Sequence, residues 1–180
     1  MVTGAGRGIG AEIATRFADA GADVVAAART REEIEATVEA VEAAGAEGLA
    51  VPTDLRDPAD IEALIDETVK RFGAPDVLVN NAAVHVAGDP LDRTVPDVDA
   101  MMEVNFRGVF LLSQAFANAA VANDGERDGD PASEADGNGA GRSGPATSGA
   151  IVNVSSIVGH LSVPAMTVYC GTKAGVYGLT

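Results

Sequence analysis

The sequence predicts an α/β protein: a doubly wound parallel sheet forming a single domain. Three observations carry this expectation. Short β-like apolar runs alternate with segments of i, i+4 apolar spacing, as βαβ units require. Glycines cluster where the first strand meets the first helix, the place where a tight turn or an anion would demand them. Finally, 180 residues, 47% of them hydrophobic, suffice for one sizeable core but would crowd two.

Taken in order, the end of a first strand at Val2 and Thr3 leads into a helix with Ile9, Ile13 and Phe17 on one face. A strand from Val24 to Ala28 follows, then a helix with Ile34, Val38 and Val41 on one stripe and Gly45 closing it. The strand Gly48 to Thr53 precedes a helix opened by Asp57 as N-cap and Pro58 in its first turn, with Ile61, Leu64, Ile65, Val69 and Phe72 inward. A fourth strand, Val77 to Asn80, ends in the polar pair Asn80-Asn81. After a loop through Pro90, one long helix is expected from about Val95 to Val121, then a fifth strand from Ile151 to Val154 and a last helix from near Thr167. The stretch 123–149 is rich in Gly, Asp, Ser, Ala and Pro and poor in apolar residues, so burial cannot offset its ordering entropy. It reads as a low-complexity acidic insertion in a helix-to-strand connection, at the sheet edge opposite the one where ligands bind.

Composition narrows the function classes. The net charge of -15, from 27 acidic against 12 basic residues, repels phosphate backbones and argues against nucleic acid as partner. It suits a cytoplasm of very high salt, pointing to a halophilic source; an ordinary acidic bacterial enzyme is the alternative. No apolar run reaches the roughly 20 residues of a membrane span, and no basic-then-apolar leader opens the chain, so a cytoplasmic protein with no membrane partner is expected. The single cysteine, Cys170, excludes an internal disulfide, and with only His85 and His160 beside it no metal site is expected.

The chemistry-bearing residues follow the same order along the chain. Thr3-Gly4-Ala5-Gly6-Arg7-Gly8-Ile9-Gly10 lies between a strand end and a helix start, where backbone N–H groups and the helix dipole can hold a pyrophosphate. A strand-to-helix turn alone could also use such glycines. Tyr169 and Lys173 stand at i and i+4, on one face of a helix, so both can serve one site. A free tyrosine is a poor base at neutral pH, and a nearby ammonium group would favour its phenolate.

Gly4, Gly8 and Gly10 resemble the TGxxxGIG loop, and Tyr169-Cys170-Gly171-Thr172-Lys173 the YxxxK motif, of the short-chain dehydrogenase/reductase family. Asn80-Asn81-Ala82-Ala83 resembles the family's NNAG motif, with Ala83 in place of glycine. The resemblance implies a Rossmann fold, NAD(P) as cofactor, and hydride exchange with a small carbonyl or alcohol substrate, such as a 3-oxoacyl thioester or a sugar-like alcohol. It implies catalytic roles for Asn105, which holds a water of the proton relay, for Ser156, which steadies the substrate oxygen, and for Tyr169 and Lys173. Ser155 is the weaker candidate for the serine. Cofactor contacts are implied for Gly4, Arg7, Gly8, Ile9, Gly10, Arg29, Asp54 at the adenine, Leu55, Asn81, Ala82, Tyr169, and Lys173 at the nicotinamide ribose.

The acceptor that NAD enzymes place about 20 residues beyond the glycines is here Ala28, followed by Arg29. Arg29 and Arg7 can pair with a 2′-phosphate, so NADP is expected, with NAD as the alternative should both arginines be solvated surface charges. His85 and His160 read as ordinary loop residues that could line a substrate pocket. Against the family pattern the chain reads as shortened at both ends, which keeps open a second reading as a nucleotide-binding fragment without turnover; a homo-oligomer is expected of a full-length form.

Overall fold

A computed structural model of the chain describes residues 1–127 and 149–180. The insertion expected at 123–149 therefore lies, over residues 128–148, outside the described residues. Five strands, β1 (Val2–Thr3), β2 (Val24–Ala28), β3 (Gly48–Pro52), β4 (Val77–Asn80) and β5 (Ala150–Asn153), form one sheet in the order β3-β2-β1-β4-β5. Every pairing is parallel. Helices α1 (Gly8–Asp19), α2 (Arg31–Ala43), α3 (Pro58–Phe72), α4 (Val95–Met102), α5 (Val109–Arg127) and α6 (Thr167–Tyr177) make the connections and flanks.

The alternation of side chains along β2 shows why the sheet needs both layers. Val24 and Ala26 enter one buried cluster with Ala14, Ala18, Ile34 and Val41 from α1 and α2. Val25 and Ala27 enter another with Ile61, Leu64, Ile65, Leu112 and Phe116 from α3 and α5. Met1 binds the same sheet: its ammonium group donates to Val77 O at 2.8 Å, and Val79 N donates to Met1 O.

Local chemistry sets the helix ends. The Asp57 carboxylate accepts from Ala59 N at 2.9 Å ahead of Pro58, and Gly73, at φ 81°, closes α3. Thr94 and Asp97 form a reciprocal capping box at α4. The strands β3 and β5 differ from expectation by one residue, yet Thr53 N still donates to Ala28 O and Val154 N to Asn80 O, so ladder hydrogen bonds persist beyond both.

Three features depart from the periodicity. Ile9 is 67% exposed in the first turn of α1; small residues, Gly10, Ala14 and Ala18, form the buried stripe. Val69 is 42% exposed, Thr68 taking the inward position. The long helix begun at Val95 is interrupted by a π turn at Glu103–Gly108. The interruption turns Asn105 fully inward and brings Gly108 against Leu55, whose carbonyl oxygen a Cβ at residue 108 would approach to 2.7 Å. No helix among the described residues is long and apolar enough to cross a membrane.

Candidate active site

The C-terminal ends of β1 to β4 open onto a cleft of about 310 Å³, lined among others by Gly4, Gly6 and Arg7 of the first loop, Ala28 and Arg29 after β2, Asp54 and Leu55 after β3, and Asn81 to Val84 after β4. Close packing builds its floor. Thr3 Oγ1 accepts from both Asn81 N and Ala82 N at 3.1 Å, and Asn81 Nδ2 donates to Thr3 O at 2.9 Å and Gly4 O at 3.2 Å. A Cβ at Gly4 would stand 2.9 Å from Ala82 Cα, and one at Gly10 only 2.2 Å from Gly4 O. Gly4 and Gly8 adopt φ values of 62° and 58°, left-handed conformations that glycine takes without strain.

These features fit a dinucleotide. No side chain caps the N-terminus of α1, so its first N–H groups face the loop as an anion site would require, and nothing stands within 4 Å of the space a Cβ at Gly8 would take. Gly8, Ile9 and Gly10 form the first turn of α1 rather than the cleft lining. Asp54 lines the cleft, but its carboxylate is bound by the Arg56 guanidinium, which holds it below the usual carboxylate range.

Ser156, Tyr169 and Lys173 lie beyond the lining and are tied to it through Asn105. The Asn105 amide accepts from Val84 N and donates to Val84 O, both at 2.8 Å, and donates to Thr172 Oγ1 at 3.1 Å. It thereby links the loop after β4 to the YxxxK helix. Lys173 is 4% exposed and donates to Val154 O at 2.8 Å, with its Nζ 5.9 Å from the Tyr169 ring centroid. Burial lowers its pKa below the ordinary lysine value. Burial also pushes the Tyr169 hydroxyl up, the neighbouring Cys170 adds to this, and the Ser156 side chain acts in the opposite sense. One N–H of Lys173 is thus committed to a backbone carbonyl, and burial favours the neutral hydroxyl of Tyr169. Ser155 Oγ donates to Lys173 O at 2.8 Å, a structural bond that leaves Ser156 facing Tyr169.

Four contacts at the site escape the sequence reading. The His85 ring lies 5.1 Å from that of Tyr169, whereas residue spacing gives no cue that this loop reaches α6. Tyr177 Oη donates to Ser156 O at 3.2 Å, and His160 stacks on the Tyr177 ring at 4.1 Å. A signal for Tyr177 was available, since Tyr169, Lys173 and Tyr177 fall at i, i+4 and i+8. Glu33, which lines the cleft and stands 3.6 Å from Arg7, is joined to it only by the fold.

The family model described as short chain dehydrogenase matches residues 1–127 and 145–180. The 3-oxoacyl-(acyl-carrier-protein) reductase FabG of Staphylococcus aureus is 34% identical over 181 residues, covering 100% of this chain and 64% of its own. A short-chain type dehydrogenase/reductase from Mycobacterium marinum superposes with a TM-score of 0.82 at 28% identity, over 99% of this chain and 64% of that one. A metagenomic short-chain oxidoreductase solved in complex with NADP gives 0.82 at 35% identity, over 99% and 71%. The chain therefore spans just under two thirds of the length of the Staphylococcus reductase.

Proposed function

The chain belongs to the short-chain dehydrogenase family, and from that premise we propose that it is an NADP-dependent oxidoreductase acting on a small carbonyl or secondary alcohol. The observation that carries the proposal is the joining of two half-sites by Asn105: a glycine-walled cleft on one side, and Tyr169 with Lys173 on the other. When bound, the nicotinamide supplies or accepts the hydride.

The chain's own residues do the rest. Gly4, Gly8 and the open start of α1 receive the pyrophosphate, with Asn81 and Ala82 as the wall behind. Ala28 leaves room beside the adenosine ribose, and Arg7 and Arg29 supply the charge for a 2′-phosphate. Ser156 donates a hydrogen bond to the substrate oxygen, and the Tyr169 hydroxyl delivers the proton to it during reduction. The upward push on the Tyr169 pKa suits that direction. Lys173, by resemblance, holds the nicotinamide ribose, while Asn105 keeps the loop after β4 in register with α6. A 3-oxoacyl thioester is the favoured substrate class, supported by the likeness to the Staphylococcus reductase.

An NADPH-oxidation assay on a panel of ketones and 3-oxoacyl thioesters tests the proposal, with Tyr169→Phe as the control. The variant should bind NADPH as the parent does and lose more than about tenfold in rate, at least about 1.4 kcal/mol in transition-state terms. Cofactor binding without turnover of any substrate in the parent would favour a nucleotide-binding protein instead.

A further inference from the structure

The cleft contains a carboxylate where its proposed occupant would bring more negative charge. Glu33, in the first turn of α2, sets Oε1 3.6 Å from Arg7 Nη1 and lines the same cleft as Arg7, Arg29 and Thr30. A Cβ at Gly6 would lie 2.9 Å from both Glu33 Cβ and Glu33 Oε2, so the acidic side chain packs directly on the glycine loop. Thr30 makes no side-chain cap bond at the start of α2, which leaves Glu32 and Glu33 as the negative charges at that helix end. Arg7 therefore does not wait as an uncommitted cation: its partner is already a carboxylate.

Resting on the NADP preference proposed above, we propose that Glu33 is a specificity-determining residue that opposes the ribose 2′-phosphate and so narrows the discrimination between NADP and NAD. The phosphate and the carboxylate compete for the Arg7 guanidinium. With the Arg7 side chain 85% exposed and that of Glu33 38% exposed, the pair contributes little to folding, and its electrostatic effect is modest and sensitive to salt. A cofactor that ends in a 2′-hydroxyl brings no such charge and feels Glu33 far less.

Fluorescence titration of the 180-residue chain and of Glu33→Gln with NADPH and NADH tests this. The variant should bind NADPH about three- to tenfold more tightly and NADH within about twofold of the parent, with the gain shrinking as salt is raised. In an Arg7→Ala background, Glu33→Gln should gain less, because the contested cation is gone. Unchanged or weaker NADPH binding by Glu33→Gln overturns the inference and makes Glu33 a holder of Arg7 instead. Glu33→Ser provides the same comparison if the glutamine variant melts abnormally. Tighter NADH than NADPH binding by the parent would refute the NADP reading alone, since the test of Glu33 is the change in ratio between two proteins.

Discussion

Gly10→Ala strikes the place where helix and glycine loop approach most closely. The added methyl would stand 2.2 Å from Gly4 O, 2.5 Å from Asn81 Nδ2 and 2.8 Å from Gly4 C. Ordinary contact begins at about 3.5 Å, so α1 and the loop must separate by roughly 1 Å. That motion pulls on the Asn81 Nδ2 bonds to Thr3 O, 2.9 Å, and Gly4 O, 3.2 Å. Their loss costs about 1 kcal/mol each and overpacking adds about 1–3 kcal/mol, for a total of about 3–5 kcal/mol. In a chain of this length such a loss lowers Tm by on the order of 10 °C. The displaced loop should also weaken NADPH binding by more than about tenfold, since the backbone donors of the cradle move with it. Thermal melting and fluorescence titration read both effects. A variant melting within about 2 °C of the parent, with NADPH affinity intact, would refute the reasoning and mean that the loop yields freely.

Gly171→Ala is the opposing case: nothing lies within 4 Å of the added Cβ on the exposed side of α6, so helix propensity should raise stability by about 0.8–1 kcal/mol, measured by urea unfolding. A loss of stability there would contradict the open surface. Asn105→Ala removes a fully buried amide and leaves the part-buried Val84 N–H and C=O without their partner, which should cost about 2–4 kcal/mol; a cost below about 1 kcal/mol would mean that water replaces the amide. Ala28→Asp should move the NADPH-to-NADH affinity ratio toward NADH by about tenfold, an unmoved ratio locating cofactor choice elsewhere. Because burial raises the Tyr169 pKa, the protonated donor persists through neutrality and the phenolate gains population only as pH climbs. Reduction should therefore show kcat/KM that stays flat as pH rises through neutrality, while oxidation climbs by about tenfold per pH unit. An oxidation plateau already reached at neutral pH would mean that the loaded site stabilises the phenolate.

Much of the fold is legible because its signals are local. β2 is a short apolar run with no polar side to present, which only a strand covered on both faces tolerates, and α3 announces its start through Asp57 and Pro58. Periodicity fails where small residues take the buried face: Ile9 has the right spacing for a buried stripe, but α1 buries Gly10, Ala14 and Ala18 instead. The π turn at Glu103–Gly108 is invisible for another reason, since one extra residue in a turn changes no composition and is stabilised by distant partners, Val84, Thr172 and Leu55. The site divides along the same line. Tyr169 and Lys173 share a helix face by spacing alone. The attachment of Lys173 to Val154 O, the approach of His85 to Tyr169 and the pairing of Glu33 with Arg7 each join residues that only the folded chain makes neighbours.

The π turn also acts as a phase shifter. An α-helix advances about 100° per residue, so one additional residue rotates everything downstream by about that angle relative to an unbroken helix. Leu112 and Phe116, both buried against α3 and the sheet, point inward only because of this offset. Removing a single residue between Glu103 and Gly108 would restore regular winding and swing the α5 stripe a quarter-turn or more out of the core. Asn105 would leave Val84 in the same step. The seating of Asn105 against Val84 and of the 19-residue helix α5 against the core are thus one geometric event, which a point substitution can weaken but only a change in chain length can undo.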